Sequence, residues 1–558
     1  MVPEKSRGII MMYALQNAVF YGGKADPGAV LGKVMASEPE LREMVKEVRE
    51  EIDRIAREIN KISLEEQKKR LESIAPDMLE KEVKGREGLP PLRDAVKGRV
   101  VTRFAPSPTG PLSIFQLSRA VMLSYLYAEM YRGKFIVRIE DTDPRKVEKK
   151  YYEMIREDLK NVGVKWNKLV MQSDHIPIYY KYAEKLINDG RIYACFCPAE
   201  KFRKLKLKSQ NCPCRDYSPE KNLGFWKKAL GGKYKDGEIV FRLKTSMQDP
   251  NPVLRDPPLL RVNKAKHPRK GKKYKVWPLY NYSCAIDDHV LDITHVFRGK
   301  EHEHNTAVQK RIYEALGWDS PVTINFGMIY LPGEKPHTRD IVERIKSGKI
   351  SGWDDPSLPT VRALLRRGFR PEAFRLFAVQ CGLTKHDINI EWETLYGINR
   401  RIIDSGAERY RVVIDPVGID VSGCIKGAGV GKTVSVQKHP DRRDTREVPV
   451  TPKIYVSKED FRDFKNKEVR LLDLFNLRLG KKPKLSKSQV INEKIQKLQW
   501  VPEKNVPVKI VKPDGVLQGI GEPAMKNLKI GDVIQMLRIG FGRVDKKGDE
   551  IQIVFAHK

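Results

Sequence analysis

The spacing of hydrophobic and polar positions changes several times along the chain, and each change marks a prospective boundary. Between Glu38 and Ile74, charged residues surround Val45, Val48, Ile52 and Ile55 at helical spacing. Residues 1–95 therefore read as a helical N-terminal domain, closed by the linker-like Gly88-Leu89-Pro90-Pro91. Arg99 to Phe104 then reads as a strand, and Ala105 to Pro111 as a loop of turn-forming residues. Leu117, Ala120, Val121, Ser124, Tyr127 and Ala128 fall on one helix face, Arg132-Gly133 ends that helix, and Lys134 to Ile139 is a strand again. This is a βαβ unit with a loop at the carboxyl end of its first strand, where open parallel sheets bind ligands. Asp143-Pro144 predicts an N-cap and a first-turn proline. The helix they would open carries Val147, Tyr151, Ile155, Leu159 and Val162.

The alternation breaks over residues 191–275, resumes near Val276, and gives way to helical patterning from Ser357 to Arg401. Beyond about Tyr410, short alternating runs such as Ile454-Tyr455-Val456 and the turn pairs Asp514-Gly515 and Lys547-Gly548 predict a β-barrel-like region. The expected class is α/β. A Rossmann-type domain in two halves (96–190 and 276–350) would flank an insertion (191–275). A helical region (351–407) and a β-barrel (408–558) would follow.

Composition adds a partner. Across 558 residues, 105 basic side chains outweigh 72 acidic ones, a formal charge of +33. The acids are interspersed, so this is not a basic tail, and nucleic acid is the leading partner. No apolar run is long enough to cross a membrane. The N-terminus lacks a signal-peptide pattern, so a cytoplasmic protein is expected. Of seven cysteines, four form a local set, Cys195-x-Cys197 and Cys212-x-Cys214, which suits a closed structural zinc site in a reducing compartment. Two basic runs, Lys201 to Lys208 and Lys264 to Lys275, hold Phe202 and Tyr274 among their cations and are expected to contact phosphate.

Arg103 stands at the end of the first strand, and Arg298 ends the apolar stretch Ile293 to Phe297. Two guanidiniums at neighbouring strand ends can clamp a dicarboxylate. Tyr280 could complete such a pocket, and the Glu140 carboxylate could pair an amine.

Three long segments carry a resemblance. Arg103-Phe104-Ala105-Pro106-Ser107-Pro108-Thr109-Gly110-Pro111-Leu112 is one, and Arg138-Ile139-Glu140-Asp141-Thr142-Asp143-Pro144-Arg145 is another. The third runs from Ile286-Asp287-Asp288-His289 to Thr294-His295-Val296-Phe297-Arg298-Gly299-Lys300-Glu301-His302. Together they resemble the catalytic core of the glutamyl-tRNA synthetases, archaeal and eukaryotic branch. Ser351-Gly352-Trp353-Asp354-Asp355-Pro356 resembles the segment after that branch's second ATP motif. The resemblance implies a class I ligase using ATP and Mg2+ to join glutamate to tRNA; the sequence does not fix its oligomeric state, a monomer being favoured, and no membrane partner is expected. It implies a glutamate pocket of Arg103, Ala105, Ser107, Glu140, Tyr280 and Arg298. It also implies acceptor-stem contacts from the insertion, anticodon contacts from the β-region, and zinc at the four cysteines.

Both ATP motifs depart from the family pattern. Where the family has His-Ile-Gly-His, this chain has Ser113-Ile114-Phe115-Gln116. Ser113 and Gln116 keep donor groups but carry no positive charge. Phe115 puts a ring where the family has a hydrogen, so it would obstruct adenine. Counted back from Ser351, the Lys-Leu/Met-Ser-Lys motif reads Lys335-Pro336-His337-Thr338, with Arg339 next in line to compensate for the lost lysine. The expected activity is glutamate–tRNA ligation, slowed by these changes. The alternatives are a non-catalytic tRNA binder that keeps the glutamate pocket and, below it, a general RNA-binding scaffold.

Overall fold

The computed structural model describes residues 3–20, 23–75, 78, 88–333, 338–489 and 495–558. The chain forms two compact units, residues 1–86 and 87–558.

The first unit consists of α1 (Glu4–Phe20), α2 (Pro27–Ser37), α3 (Val45–Ile59) and α4 (Leu64–Ile74). Two of these helices start on side-chain caps, Asp26 accepting from Ala29 N–H and Ser63 from Glu66 N–H. On α3 the buried stripe is Val48, Ile52, Ile55, Ala56 and Ile59. Val45, which the spacing placed on the same face, opens the helix and is exposed.

The second unit is built on a five-stranded parallel sheet in the order β3-β2-β1-β8-β9. β1 is Val101–Phe104, followed by α5 (Ile114–Gln116), a π-turn at Leu117–Val121, α6 (Met122–Met130) and β2 (Lys134–Ile139). α7 (Lys149–Asn161), β3 (Lys168–Met171) and α8 (Ile176–Asn188) complete the first half. The Asp143-Pro144 expectation needs correction, because the helix starts at Lys149. Asp143 instead accepts from the Arg145 amide and pairs with Arg261, while Glu148 N–H is drawn to Pro108 O. The backbone up to Glu148 therefore cannot join the helix.

Next, β4 (Ile192–Cys195), α9 (Ala199–Leu207), α10 (Pro219–Leu230), β5 (Val240–Leu243), β6 (Pro258–Val262) and β7 (Val276–Pro278) form a separate antiparallel sheet with its helices. The chain returns through α11 (Tyr280–Val290), β8 (His295–Gly299), α12 (Glu303–Leu316) and β9 (Val322–Phe326). The parallel order reverses between β1 and β8, which leaves a crevice at their carboxyl ends. β10 (Ile329–Tyr330) follows, with α13 from Thr338 to Lys346, α14 (Val361–Arg367), α15 (Pro371–Cys381), β11 (Ile388–Asn389) and α16 (Trp392–Ile403).

From Arg409 the chain is β-rich, in sheets of seven, three, two and four strands. Two short helices, Ser422–Ala428 and Lys458–Phe464, interrupt the expected all-β pattern. The last strand is locked to the helical region: His557 meets Asn399 at 3.0 Å, and Arg367 donates to the Phe555 carbonyl. Among the described residues, no helix is long and apolar enough to cross a membrane.

Candidate active site

A cavity of about 370 Å³ opens at the carboxyl ends of β1, β8 and β9. Arg103, Ala105, Ser107, Tyr280 and Arg298 all line it. Arg103 and Arg298 are each only 5% exposed. The Nε of Arg103 lies 3.3 Å from the Asp288 carboxylate, and its Nη1 lies 3.4 Å from the Phe297 carbonyl. Arg298 donates from Nη1 to Thr306 (3.1 Å) and Gln309 (2.9 Å), and from Nη2 to the Tyr280 hydroxyl (2.9 Å). Burial works against the Arg298 charge, but Tyr280, Cys284, Asp288 and Glu140 together hold its pKa above the ordinary value.

Glu140 is not part of the lining. Its carboxylate is held by Arg138 Nη2 and the Cys284 thiol, each at 3.0 Å. Its amide donates to Pro106 O, tying the end of β2 to the loop after β1. Arg138 is completely buried and also meets Asp288 at 2.5 Å. Burial opposes charge on both partners, yet Arg138 is held well above its usual value by Asp288, and Asp288 is held low by Arg138 and Arg103. Asp287 completes this base by accepting from Tyr179, Gln172 and His175. The quoted motifs contained Arg138, Asp287 and Asp288, but residue type alone assigned them no role.

Arg119 also borders the cavity, and no sequence pattern pointed to it. It sits on the π-turn, 2% exposed, donating to the Gly382 carbonyl beside the Phe326 ring. Among the described residues of the lining, Glu301 is the one carboxylate against three guanidiniums. His302 is kept below its normal pKa by burial and by Arg298. The cavity therefore favours anions.

The altered ATP-motif residues divide. Phe115 lines the cavity, half-buried, near Gly327, Met328 and Ile329. At Gly327 the backbone passes so close to His386 that a Cβ would collide with its carbonyl. Ser113 and Gln116 form a reciprocal cap: Ser113 Oγ accepts from Gln116 N–H, and Gln116 Oε1 accepts from Ser113 N–H at 3.1 Å. Ile114 N–H donates to Pro359 O, and Leu117 N–H to Ser113 O. Ser113 Oγ and Gln116 Oε1 are thus engaged in starting the helix. Thr338 rests against Gly110 in the loop after β1. Arg339 points to solvent and pairs with Glu343 at 3.3 Å, so it does not reach the cavity. Lys335 and His337 lie outside the described residues.

The four cysteines converge, with all four sulfurs within 4.8 Å of one another. Cys195 ends β4, Cys197 follows it, and Cys212 and Cys214 sit on the turn Pro213–Asp216. All four are free thiols, and Cys212 lies 3.7 Å from Cys195 and 3.4 Å from Cys197. Tetrahedral zinc with Zn–S bonds of about 2.3 Å requires sulfurs at about this spacing. The Cys212 thiol and then the Arg242 guanidinium pull Cys195 down to about 5, against the effect of its burial.

Comparison with known proteins supplies the family. Residues 99–405 match the catalytic domain of the class I tRNA synthetases (E and Q), and residues 407–497 and 497–545 match anticodon-binding domains of that class. A protein named glutamate–tRNA ligase from Pyrococcus abyssi is 45% identical, the match covering 99% of this chain and 99% of that one. Proteins of the same name from Methanocaldococcus jannaschii (40% identical, 98% and 99% covered) and Methanothermobacter marburgensis (39%, 99% and 99%) also match end to end. The parallel sheet and the cavity at its switch point lie within the first match and most of the β-rich C-terminal region within the other two, and the chain belongs to the class I tRNA synthetases of the E and Q type.

Proposed function

We propose that this chain is a glutamate–tRNA ligase. A glutamate carboxylate oxygen attacks the α-phosphorus of ATP and pyrophosphate leaves. A terminal ribose hydroxyl of tRNA then attacks the acyl carbon and AMP leaves. The observation that carries the reading is the pair of buried guanidiniums, Arg103 and Arg298, with the Tyr280 hydroxyl on one cavity.

In this reading Arg298 and Tyr280 receive one carboxylate of glutamate and Arg103 the other, while Glu140, held by Arg138 outside the lining, contributes negative charge behind the pocket that favours the ammonium group. Guanidinium offers donors only, so the amide nitrogen of glutamine would bring donor against donor in a buried place. That favours glutamate over glutamine. Mg2+ would screen the ATP phosphates. Zinc, held by Cys195, Cys197, Cys212 and Cys214, would have a structural role, since four protein thiolates leave no open position. We assign acceptor-stem contact to the insertion around β4–β7, and anticodon contact to a barrel-like arrangement in the β-rich region.

The capping of Ser113 by Gln116 and the Phe115 ring bear on rate. They favour slow activation, and in the extreme a chain that binds tRNA and glutamate without joining them; the relatives' names give that extreme no support. Purified protein with labelled glutamate, ATP and archaeal tRNA tests the proposal. Acid-precipitable glutamate above a no-ATP control is the expected result. A blank result with tRNA still bound would overturn ligation and leave binding.

A further inference from the structure

The basic loop between β6 and β7 is closed by a turn that one histidine organises. His267 N–H donates to Gly271 O and Gly271 N–H returns to His267 O, at 2.9 and 2.8 Å. Gly271 takes the left-handed conformation (φ +60°) that closes so short a turn. Within it, His267 Nδ1 lies 3.1 Å from both the Arg269 and Lys270 amides, so it accepts twice. Its proton must then sit on Nε2, which donates to the Asp141 carbonyl at 2.9 Å. The ring is fully buried and stacks on Trp277 with centroids 5.0 Å apart.

The far end of this contact is rigid. The Asp141 carboxylate accepts from Ser173 N–H and Oγ–H, each at 2.7 Å, and from the Tyr152 hydroxyl at 2.8 Å. Asp141 directly follows Glu140 of the proposed amino-acid pocket. Arg269 donates to Ser173 Oγ and pairs with Asp174, and Lys270 also pairs with Asp174. Lys266, Lys272 and Lys273 remain exposed around the turn.

We propose that His267 is a positioning residue for RNA binding: a neutral imidazole that fastens the basic loop to the backbone beside the amino-acid pocket, so that its exposed lysines meet the RNA phosphates in a fixed place. This rests on the reading that the chain binds tRNA. Protonation would put an N–H on Nδ1, facing two amide N–H groups, and would break both bonds. The charged groups facing the ring are the Asp141 carboxylate, 3.6 Å from Nε2, with Arg269 and Lys270 on the turn itself. Burial first, then Arg269 and Lys270, outweigh Asp141 and hold the ring below its ordinary 6.5. The freed loop thus takes up the proton more readily than the docked one. Anchoring is whole above about pH 6.5 and weakens as pH falls.

The test is tRNA affinity of the full-length protein at fixed salt, without ATP or glutamate, from about pH 7.5 to about pH 5. His267→Ala is expected to weaken binding about tenfold at the upper pH. His267→Asn, whose Oδ1 can accept from the same two amides, should stay within about threefold of wild type. On acidification wild type should lose affinity relative to H267N, which has no ring to protonate. The proposal is overturned if H267A binds as wild type does, if both variants weaken equally, or if wild type and H267N share one pH profile. Should H267A fail to fold, the comparison of wild type with H267N decides alone. A wild-type chain that binds no tRNA overturns the ligase reading itself, whereas binding that ignores His267 overturns only this inference.

Discussion

Replacing Phe115 by glycine isolates the effect of one ring on the nucleotide side of the cleft. The side chain is half-buried, packs on the core cluster beneath the sheet, and borders the 370 Å³ cavity. Full burial of a phenylalanine is worth about 1.5–3 kcal/mol, so moving a half-buried ring into water costs about 1 kcal/mol. If ATP must displace the ring, that cost appears in its affinity, a factor of about five to ten. F115G should therefore lower the KM for ATP by about that factor in ATP–pyrophosphate exchange. The KM for glutamate should stay unchanged, because Arg103, Tyr280 and Arg298 are untouched. Stability falls on two counts, the lost ring contacts and about 1 kcal/mol for glycine in a helix. F115A, which avoids most of the glycine term, is the control, and both variants should fold at a reduced Tm. If both are folded and equilibrium ATP binding and KM stay within about twofold of wild type, the ring is not the obstacle and the steric argument is wrong.

Four further outcomes can be checked. Ser113→Ala should cost about 1 kcal/mol in denaturant unfolding, because it removes a helix cap, and should barely change ATP binding; a large loss of ATP affinity would show that Ser113 serves the nucleotide. Arg298→Lys keeps the charge but loses the fork that meets Thr306, Gln309 and Tyr280, so the KM for glutamate should rise at least about tenfold with that for ATP little changed. Metal analysis should find one zinc per chain in reduced protein, with Cys212→Ser abolishing it and lowering Tm; metal-free protein of unchanged Tm would remove the zinc assignment. Asp158 is buried, and desolvation raises its pKa to about 6 despite Arg362 and the Leu112 amide. A raised carboxyl favours the fold when protonated, so stability should decline as pH rises from about 4 to 6. Asp158→Asn should gain up to about 2–3 kcal/mol over wild type near pH 7.5, with the difference closing near pH 4. A constant difference across that range would contradict it.

The legible parts of the sequence were those where one residue type serves one local purpose. Strand β1, its turn-rich loop and β2 follow from period and proline placement. The four cysteines were identifiable because thiols clustered in a long, cysteine-poor chain have few other uses. Arg103 and Arg298 could be paired by their chemistry, since both stand at strand ends. What was not legible depended on contacts between distant segments. Asp143-Pro144 has the form of a helix start, yet Arg261 and Pro108 claim that stretch. Arg119 lies on a π-turn, where the hydrophobic spacing slips out of the ordinary helical period. Arg339 is adjacent in sequence to the second ATP motif, but the helix turns it to solvent. Ser113 and Gln116 are a different case. Their S-x-x-Q spacing is itself a capping-box signature, but resemblance drew the reading toward phosphate chemistry.

The two sides of the cleft use charge in opposite ways, and the contrast constrains what the chain was kept for. Buried ion networks such as Arg138 with Asp288, Glu140 and Asp287 add little to stability, and packed apolar residues of similar volume would hold the fold at least as well. Charges beneath a cavity are therefore better explained by what enters it, and the network fixes Arg103 where an amino acid would lie. On the side proposed for the nucleotide, the local contacts serve the helix start instead. Ser113 and Gln116 satisfy helix-end donors that would otherwise face the cleft, and Phe115 adds apolar contact. The buried network thus serves discrimination of the amino acid, and in the proposed reading activation is the step that Phe115 would slow.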